Sequence, residues 1–231
     1  MSGELRRLVS SAAAYVARAP DAAEVGGWWW SPEPAEEVPE NPVMRPGEGR
    51  AAAVLALFCV GVGEPYVVVT ERSAGLSKHP GQVALPGGAV EDFDADPTAA
   101  ALREAQEEIG LDPFRVEVIG TLPPAPVPIS GFMVTPVLGI TDDPGELIPQ
   151  SGEVETVIRV PVRSLVDPAN RSTSVLHRGR ATHRAPAFVV EGTLIWGFTG
   201  ILLDRMISRL GWEQPWDWEL SVDPREYQPL L

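Results

Sequence analysis

The chain has 231 residues, of which 44% are hydrophobic and 22% charged, a composition that suits one well-packed globular domain with a small appendage. Its formal net charge of −14 argues against nucleic-acid binding, because no basic stripe offsets a surface that repels phosphate backbones. No apolar run reaches the roughly 18 residues that a membrane-spanning helix requires. The single cysteine, Cys59, excludes a disulfide framework, and we expect it to be buried in an apolar strand.

Residues 3–18 are predicted to form a helix that ends at Pro20. The segment 6–19 partly imitates a secretory signal, with paired arginines before an apolar run and an A-x-A pattern after it. However, the run is short, it contains two serines, and Arg18 lies inside the supposed cleavage motif. We therefore favour an amphipathic helix that packs on the domain, and we expect a cytoplasmic protein.

Residues 26–49 are rich in Pro, Glu and Gly and are typical of an irregular arm. Three adjacent tryptophans, Trp28–Trp30, lie inside it. Large aromatic side chains of this kind favour anchoring of the arm onto the domain. A lid over the site or a homodimer contact is the alternative role.

The rest of the chain alternates between short apolar runs and turn residues. We predict a hairpin from strands 51–60 and 66–70, a polar loop 71–81, a strand 82–85, a turn 86–88, a helix 97–109, strands 114–122, 133–141, 155–162 and 186–191, a helix 199–210, and a tail that packs as a strap. Without regular strand–helix–strand alternation, this order predicts an α/β fold with a mixed sheet between helices. The expected organisation is an N-terminal helix and arm (1–50), a catalytic domain (51–211) and an acidic tail (212–231).

The helix 97–109 has clear start and stop signals. Asp96 can cap its first turn, Pro97 suits the first helical position, and Gly110 suits the left-handed position after its end. Ala101, Leu102, Ala105 and Ile109 form its expected core-facing stripe.

The same helix carries an unfavourable group of charges. Glu104, Glu107 and Glu108 stand at i, i+3 and i+4, which places the three carboxylates on one face. Two of them lie in the last turn, where the helix dipole disfavours anions by roughly 0.3–1 kcal/mol each. Arg103 can offset Glu107 through an i,i+4 pair. A hard divalent cation would resolve the remaining conflict, whereas the alternative is a solvated acidic face.

A turn, Pro86-Gly87-Gly88, stands upstream of this helix and is followed by an acidic loop that includes Asp94. The whole segment resembles the signature of the Nudix hydrolases, G-x5-E-x7-R-E-U-x-E-E-x-G-U, where U is bulky and apolar. The matching positions are Gly88, Arg103, Glu104, Glu107, Glu108, Gly110 and Leu111. The chain departs from the pattern in one extra residue before Arg103, in Asp94 at the first glutamate position, and in Ala105 at a usually bulkier position.

The preceding residues are similar to one branch of this family, the coenzyme A pyrophosphatases. That branch carries roughly L-L-T-x-R-S-x-x-L-x-x-H-x-G-x-V-A-F-P-G-G, and residues 68–88 follow it with Leu85 in place of Phe. The positions in register are Thr70, Arg72-Ser73, Leu76, His79, Gly81 and Pro86-Gly87-Gly88. The resemblance continues at residues 134–137 and 194–197 and covers about residues 52–210.

The resemblance implies a Nudix fold and hydrolysis of the pyrophosphate bond of coenzyme A or acyl-CoA, with Mg²⁺ or Mn²⁺ as cofactor. Glu104 and Glu108 would be the principal metal ligands, and Glu107 a ligand of the same or a second metal. Arg103 would orient these carboxylates, unless it forms only a surface salt bridge. The general base would be Glu107 or Glu153, the latter because some Nudix enzymes place a catalytic glutamate in that region.

Substrate contacts would come from the basic loop and the turn. Arg72, Lys78 and His79 form the only compact basic group near the motif, and such cations suit phosphate contacts. His79 has a structural alternative, since it could only stabilise the turn at Pro80-Gly81. The full set of expected substrate-binding residues is Arg72, Ser73, Lys78, His79, Gly87 and Gly88.

Two other functions compete with coenzyme A cleavage. A Nudix hydrolase of another nucleoside diphosphate derivative, such as ADP-ribose or NADH, would share the helix but need not share the loop. A catalytically silent binding module of Nudix fold would show eroded carboxylates, whereas here they are complete. A Ser-His-Asp hydrolase is excluded, because no G-x-S-x-G elbow accompanies the three histidines.

Overall fold

The computed structural model of the chain describes residues 1–24, 26–29, 44, 48–76, 79–178 and 181–228, and it leaves the side chains of residues 178 and 181 undescribed. Helix α1 (Ser2–Arg18) and the short helix α2 (Pro20–Glu24) come first. One side of α1 is buried, and its Leu5, Leu8 and Tyr15 pack into the larger of the cores. The predicted amphipathic helix on the domain is therefore confirmed. No described helix is both long enough and apolar enough to cross a membrane.

The central sheet has eight strands. They are β1 (Arg50–Cys59), β2 (Tyr66–Arg72), β3 (Val83–Ala84), β4 (Gly87–Ala89), β5 (Glu117–Thr121), β6 (Ala125–Val127), β7 (Phe132–Thr141) and β8 (Val154–Pro161). The main strand order is β3-β2-β1-β7-β5, with β4 added to β1, β6 to β7 and β8 to β2. Strands β1 and β7 run parallel along their whole length, and the other pairs are antiparallel. The sheet is therefore mixed, as predicted.

Helices cover both faces of this sheet. Alternate residues of β1 point to opposite sides: Leu55 and Leu57 pack with α3 (Pro97–Ile109), together with the buried Cys59. Ala56 and Phe58 face the other core, where α1 meets α5 (Gly197–Arg209). Full burial of each large apolar side chain contributes about 1.5–3 kcal/mol. The predicted mixed sheet between helices is thus the observed architecture, with α3 on one face.

A second sheet of four strands follows the short helix α4 (Val162–Val166). Its order is β11-β10-β9-β12, formed by β9 (Arg171–Arg178), β10 (Ala181–Val190), β11 (Thr193–Ile195) and β12 (Ser221–Val222). Strand β12 belongs to the C-terminal tail and pairs in parallel with β9. The expected strap therefore exists, and it is part of a sheet. The division into residues 1–50, 51–211 and 212–231 remains a prediction.

The arm is anchored by two of its tryptophans. Trp28 and Trp29 are 2% and 0% exposed. The indole N–H of Trp29 donates to the carbonyl oxygen of Pro123 at 2.7 Å, and Arg205 and Arg209 of α5 donate to the carbonyl oxygens of Trp29 and Trp28. The anchoring role is confirmed for these two residues, whereas Trp30 lies outside the described residues.

Two strand predictions were wrong in part. The segment predicted as strand 114–122 begins with a 3₁₀ turn, Pro113–Arg115, because Asp112 accepts a hydrogen bond from the amide of Phe114 and caps that turn. The predicted strand 186–191 is the end of the longer β10, and its partner β9 was missed. Strand β9 is polar in sequence, yet Thr173 and Ser174 are buried because their hydroxyls donate to carbonyl oxygens of neighbouring segments.

Candidate active site

Helix α3 begins and ends where its sequence predicts. The Asp96 carboxylate accepts from the amide of Ala99 at 2.8 Å, and Gly110 adopts a left-handed φ of 67°. Beyond this cap, the amides of Ile148 and Gln150 donate to the carbonyl oxygens of Ile109 and Glu108 at 2.9 and 2.8 Å. The loop that carries Glu153 is therefore fastened to the carboxyl end of α3, whose carbonyls would otherwise lack partners.

The glycine turn lies directly against the same helix. Strand β4 pairs with β1, and this pairing holds Gly87 and Gly88 beside the carboxylates of α3. The amide of Gly87 donates to a carboxylate oxygen of Glu108 at 3.1 Å. A Cβ atom on Gly88 would lie 2.5 Å from the Glu104 carboxyl group, and one on Gly87 would lie 2.3 Å from the carbonyl oxygen of Ala53. Only glycine fits beside the backbone at position 87, and a side chain at position 88 would displace the end of Glu104, so backbone and carboxylates approach each other closely.

Glu108 is the most buried of the three glutamates of α3, with 5% of the residue exposed. Burial, together with the negative charges of Glu153 and Glu104, raises its pKa to about 7. The Gly87 amide and the positive charge of Arg72 act in the opposite direction. A buried carboxylate among like charges is stabilised by a cation, which matches the sequence hypothesis for this position.

The three glutamates of α3 differ in how far they are buried. The Glu104 side chain is 19% exposed, and burial raises its pKa despite the hydrogen bond from Arg103. The Glu107 side chain is 58% exposed and forms the predicted i,i+4 ion pair with Arg103 at 3.0 Å. Glu108 therefore turns inward to the glycine turn, whereas Glu107 reaches solvent beside Arg103.

Arg103 connects the acidic loop to the helix. Its guanidinium donates two hydrogen bonds of 3.0 Å to Asp94, and further bonds to Glu104 and to the carbonyl oxygen of Ala89. Arg103 and the Glu91 amide together hold the pKa of Asp94 below its usual value. The structure thus gives Asp94 a definite place, as the carboxylate that orients Arg103. In the sequence, this pairing could have been inferred only from the position of Asp94 in an acidic loop, nine residues before Arg103.

The basic loop reaches the site through the end of β2. Arg72 follows an irregularity in the β2–β8 pairing, and its charge acts on Glu108. The amide of Ser73 donates to the carbonyl oxygen of Glu153 at 2.9 Å. Glu153 is exposed, and its charge raises the pKa of both Glu104 and Glu108. The structure therefore brings Arg72, Ser73 and Glu153 together with the carboxylates of α3.

The two remaining loop predictions have different outcomes. His79 is exposed and adopts a positive φ of 53°, and its carbonyl oxygen accepts from the amide of Gln82 at 3.3 Å. This geometry agrees with the structural alternative, a stabilised turn, and leaves substrate binding by His79 a prediction. Lys78 lies outside the described residues.

A match to a known family covers this whole site. Residues 49–178, which contain the basic loop, the glycine turn, α3 and Glu153, match the family model of the NUDIX domain over more than half of the chain. The chain belongs to the Nudix hydrolase family. Nudix hydrolases act on nucleoside diphosphate derivatives and generally use divalent metal ions, so the protein is an enzyme of that class.

Similar proteins include several named Nudix hydrolases. The uncharacterized Nudix hydrolase NudL of Cronobacter sakazakii is 40% identical over 166 residues, which cover 72% of this chain and 85% of that protein. NudL of Escherichia coli K12 is 38% identical over 162 residues, covering 70% and 83%. Among solved structures, RenU, a Nudix hydrolase from M. smegmatis, is 27% identical, covers 48% of this chain and 70% of that chain, and has a TM-score of 0.41.

The carboxylates of this Nudix hydrolase suit a hard cation by their chemistry. Within the described ranges, no group of three or more His, Cys, Asp or Glu side chains is arranged so that it could hold a metal ion as it stands. The guanidinium of Arg103 holds Glu104 and Glu107, and Glu108 accepts a hydrogen bond from the amide of Gly87. Nevertheless, the partly buried Glu104 and the buried Glu108, which carry like charges, offer the carboxylate oxygens that Mg²⁺ and Mn²⁺ prefer.

Proposed function

We propose that this Nudix hydrolase cleaves the pyrophosphate bond of coenzyme A or acyl-CoA, using Mg²⁺ or Mn²⁺. The proposal is supported chiefly by the way in which the residues of two sequence motifs lie close to each other around Glu108. The Nudix helix supplies Glu104 and Glu108, and the loop that resembles coenzyme A pyrophosphatases supplies Arg72, whose positive charge acts on Glu108. A substrate phosphate between these groups would meet a guanidinium on one side and metal-held carboxylates on the other.

Glu104 and Glu108 are the proposed principal ligands, and Glu107 joins them when it leaves Arg103. When bound, the cation neutralises phosphate charge and lowers the pKa of a coordinated water. Arg103 keeps the ligands in place, because Asp94 holds its guanidinium through two parallel hydrogen bonds. Arg103 is therefore a positioning residue in this proposal.

The substrate-binding residues form a basic loop and a close-fitting turn. Arg72 contacts the phosphates, and Ser73, Lys78 and His79 extend the surface along the substrate. Gly87 and Gly88 supply backbone where a side chain would strike Ala53 or Glu104. The described residues support Arg72 most directly, because its guanidinium has no ion pair or hydrogen bond to any of them.

Glu153 is the better candidate for the general base. Its side chain is exposed, and its charge acts on both Glu104 and Glu108, whereas Glu107 is held by Arg103. Glu153 takes a proton from the attacking water, the water oxygen bonds to phosphorus, and the bond from phosphorus to the bridging oxygen breaks. The leaving phosphate keeps the electron pair of that bond. Coenzyme A and water thus yield 3′,5′-ADP and 4′-phosphopantetheine.

Product analysis tests this proposal. The protein is incubated with coenzyme A, acetyl-CoA, ADP-ribose and NADH, each with Mg²⁺, with Mn²⁺ and with EDTA, and the products are separated by chromatography. We expect 3′,5′-ADP from both coenzyme A substrates and no cleavage in EDTA. Intact coenzyme A under every metal condition, with ADP-ribose or NADH cleaved, would assign the enzyme to a different Nudix branch.

A pair of variants separates the two candidate bases. Glu153→Gln should lower kcat by roughly 10²–10⁴, the range that general bases contribute. Glu107→Gln should lower it less and mainly weaken metal binding. The reverse order of the two effects would make Glu107 the base. The homodimer and the cytoplasmic location remain predictions.

A further inference from the structure

The C-terminal tail contacts the basic loop through Gln228. Gln228 is only 6% exposed, although it is polar and lies close to the chain terminus. Its side-chain amide donates to the carbonyl oxygen of Gly81 at 2.8 Å, and its side-chain oxygen accepts from the indole N–H of Trp196 at 3.0 Å. Both functional groups of this side chain are therefore engaged, and they connect the tail, the start of α5 and the basic loop.

The contacted part of the loop is conformationally unusual. His79 and Gly81 adopt φ values of 53° and 68°, in the region that L side chains rarely occupy. The amide of Gly81 donates to the carbonyl oxygen of Arg72 at 2.9 Å, and the amide of Arg72 donates to the carbonyl oxygen of Gln82 at 3.0 Å. The peptide groups of Gly81 thus join Gln228 on one side to Arg72 on the other. Backbone of this kind persists only where the surroundings fix it.

We propose that Gln228 is a positioning residue, which fixes residues 79–82 and, through their backbone hydrogen bonds, the end of β2, so that Arg72 faces the carboxylates of α3. The proposal rests on the proposed role of this loop in substrate binding. Trp196 completes the arrangement, because it is 8% exposed and holds the orientation of the Gln228 amide. The tail outside the Nudix domain match thereby contributes to the binding of substrate phosphates without touching them.

The tail is itself fixed to the rest of the protein, so that the contact of Gln228 with Gly81 can hold the loop in place. The guanidinium of Arg171 lies 4.6 Å from the ring centre of Trp216 and 4.7 Å from that of Phe188. Strand β12 pairs with β9, and the amide of Gln228 donates to the carbonyl oxygen of Pro224 at 2.9 Å. The side chain of Gln228 therefore extends from a fixed backbone.

The test compares Gln228→Met with the matched control Gln214→Met, since Gln214 is an exposed glutamine of the same tail. Methionine keeps the length and volume of Gln228 but removes both hydrogen bonds. We expect KM for coenzyme A to rise about three- to tenfold with little change in kcat, the effect of a lost positioning hydrogen bond. Amide hydrogen exchange at Arg72, Gly81 and Gln82 should also become faster, whereas Gln214→Met should match the wild type in both measurements.

A double-mutant cycle with Arg72→Ala tests whether Gln228 acts through Arg72. We expect the KM effects of the two substitutions to be less than additive. Unchanged KM and unchanged exchange in Gln228→Met, or fully additive effects, would overturn the proposal. If Gln228→Met does not fold, Trp196→Phe removes the indole donor while keeping an aromatic ring, and it should give the same split between KM and kcat.

The substrate proposal can fail independently of this one. If the wild-type enzyme leaves coenzyme A intact and cleaves ADP-ribose, the same variants are measured with ADP-ribose. A raised KM for ADP-ribose and faster exchange in the loop would then support the role of Gln228, although the substrate assignment would be wrong. If the enzyme cleaves coenzyme A but Gln228→Met leaves KM and amide exchange in the loop unchanged, the role of Gln228 is refuted and the substrate proposal stands.

Discussion

At the scale of single residues, the carboxyl group of Glu108 lies in an environment that suits it only when it is protonated or bound to a cation. Its pKa is raised to about 7 chiefly by burial, whereas an unfolded chain would show the ordinary value of 4.5. A group that is more acidic in the unfolded chain destabilises the fold as the pH rises between these two values. The cation that family membership implies would remove this cost.

The pH dependence of stability follows from this shift. Without metal, the free energy of unfolding should fall as the pH rises from about 4.5 to about 7, by at most about 3 kcal/mol, and then level off as far as Glu108 contributes. Glu108→Gln should show a flatter profile over that interval. Urea titrations at several pH values in EDTA measure both proteins, and identical profiles would show that Glu108 does not titrate in this way.

Substitution of the two glycines of the turn by alanine should affect different properties, catalysis at Gly88 and stability at Gly87. Gly88→Ala would displace the end of the Glu104 side chain, so kcat should fall by about a hundredfold while Tm changes little. Gly87→Ala would strike the backbone of Ala53 and Val54, so it should mainly destabilise the fold. Thermal melts and initial rates distinguish these outcomes, and equal losses of stability in both variants would contradict them.

At the scale of secondary-structure elements, the acidic loop and α3 act as one unit because Asp94 holds Arg103. Asp94→Asn leaves only one acceptor oxygen, so the guanidinium should lose its fixed orientation and kcat/KM should fall about tenfold. Asp92→Asn, in the same loop but exposed, is the control and should behave as the wild type. An Asp94→Asn enzyme with full activity would show that the loop does not orient Arg103.

The elements differ in how far the sequence alone predicts them. Helix α3, its two caps and the Arg103–Glu107 pair follow from contacts within one or two turns, and all of them were predictable. The inward turn of Glu108 was not, because it depends on the pairing of β4 with β1. Strand β9 was missed since its buried hydroxyl groups find partners only in the folded protein.

In the candidate site, too, some features could be predicted from the sequence and others could not. The glycine turn, the glutamates and Arg72 were predictable because motifs mark them in the sequence. The close approach of these residues in the fold depends on long-range backbone hydrogen bonds, above all those from Gln150 to Glu108 and from Ser73 to Glu153. Gln228 has no sequence signal, because a lone glutamine in a polar tail acquires its role only through Gly81 and Trp196.

At the scale of the whole molecule, the segments on either side of the Nudix domain match pack onto it. The arm places Trp29 in the core with 0% exposure, and the tail adds a strand to the second sheet. Trp29→Ala should cost about 3–5 kcal/mol, as large-to-small changes in cores do, and should lower Tm by about 10 °C. Trp218→Ala, at a residue that is 46% exposed, should cost far less. Equal shifts in thermal melts would show that the arm is not anchored by Trp29.

Binding of the divalent cation of this enzyme is proposed to depend on Glu104 and Glu108 together. Titration with Mn²⁺ at pH 8, followed by the loss of the electron paramagnetic resonance signal of free Mn²⁺, measures it directly. The wild type should bind Mn²⁺, Glu108→Gln should bind it at least about tenfold more weakly, and the exposed control Glu219→Gln should bind it normally. Wild-type affinity in Glu108→Gln would contradict the account.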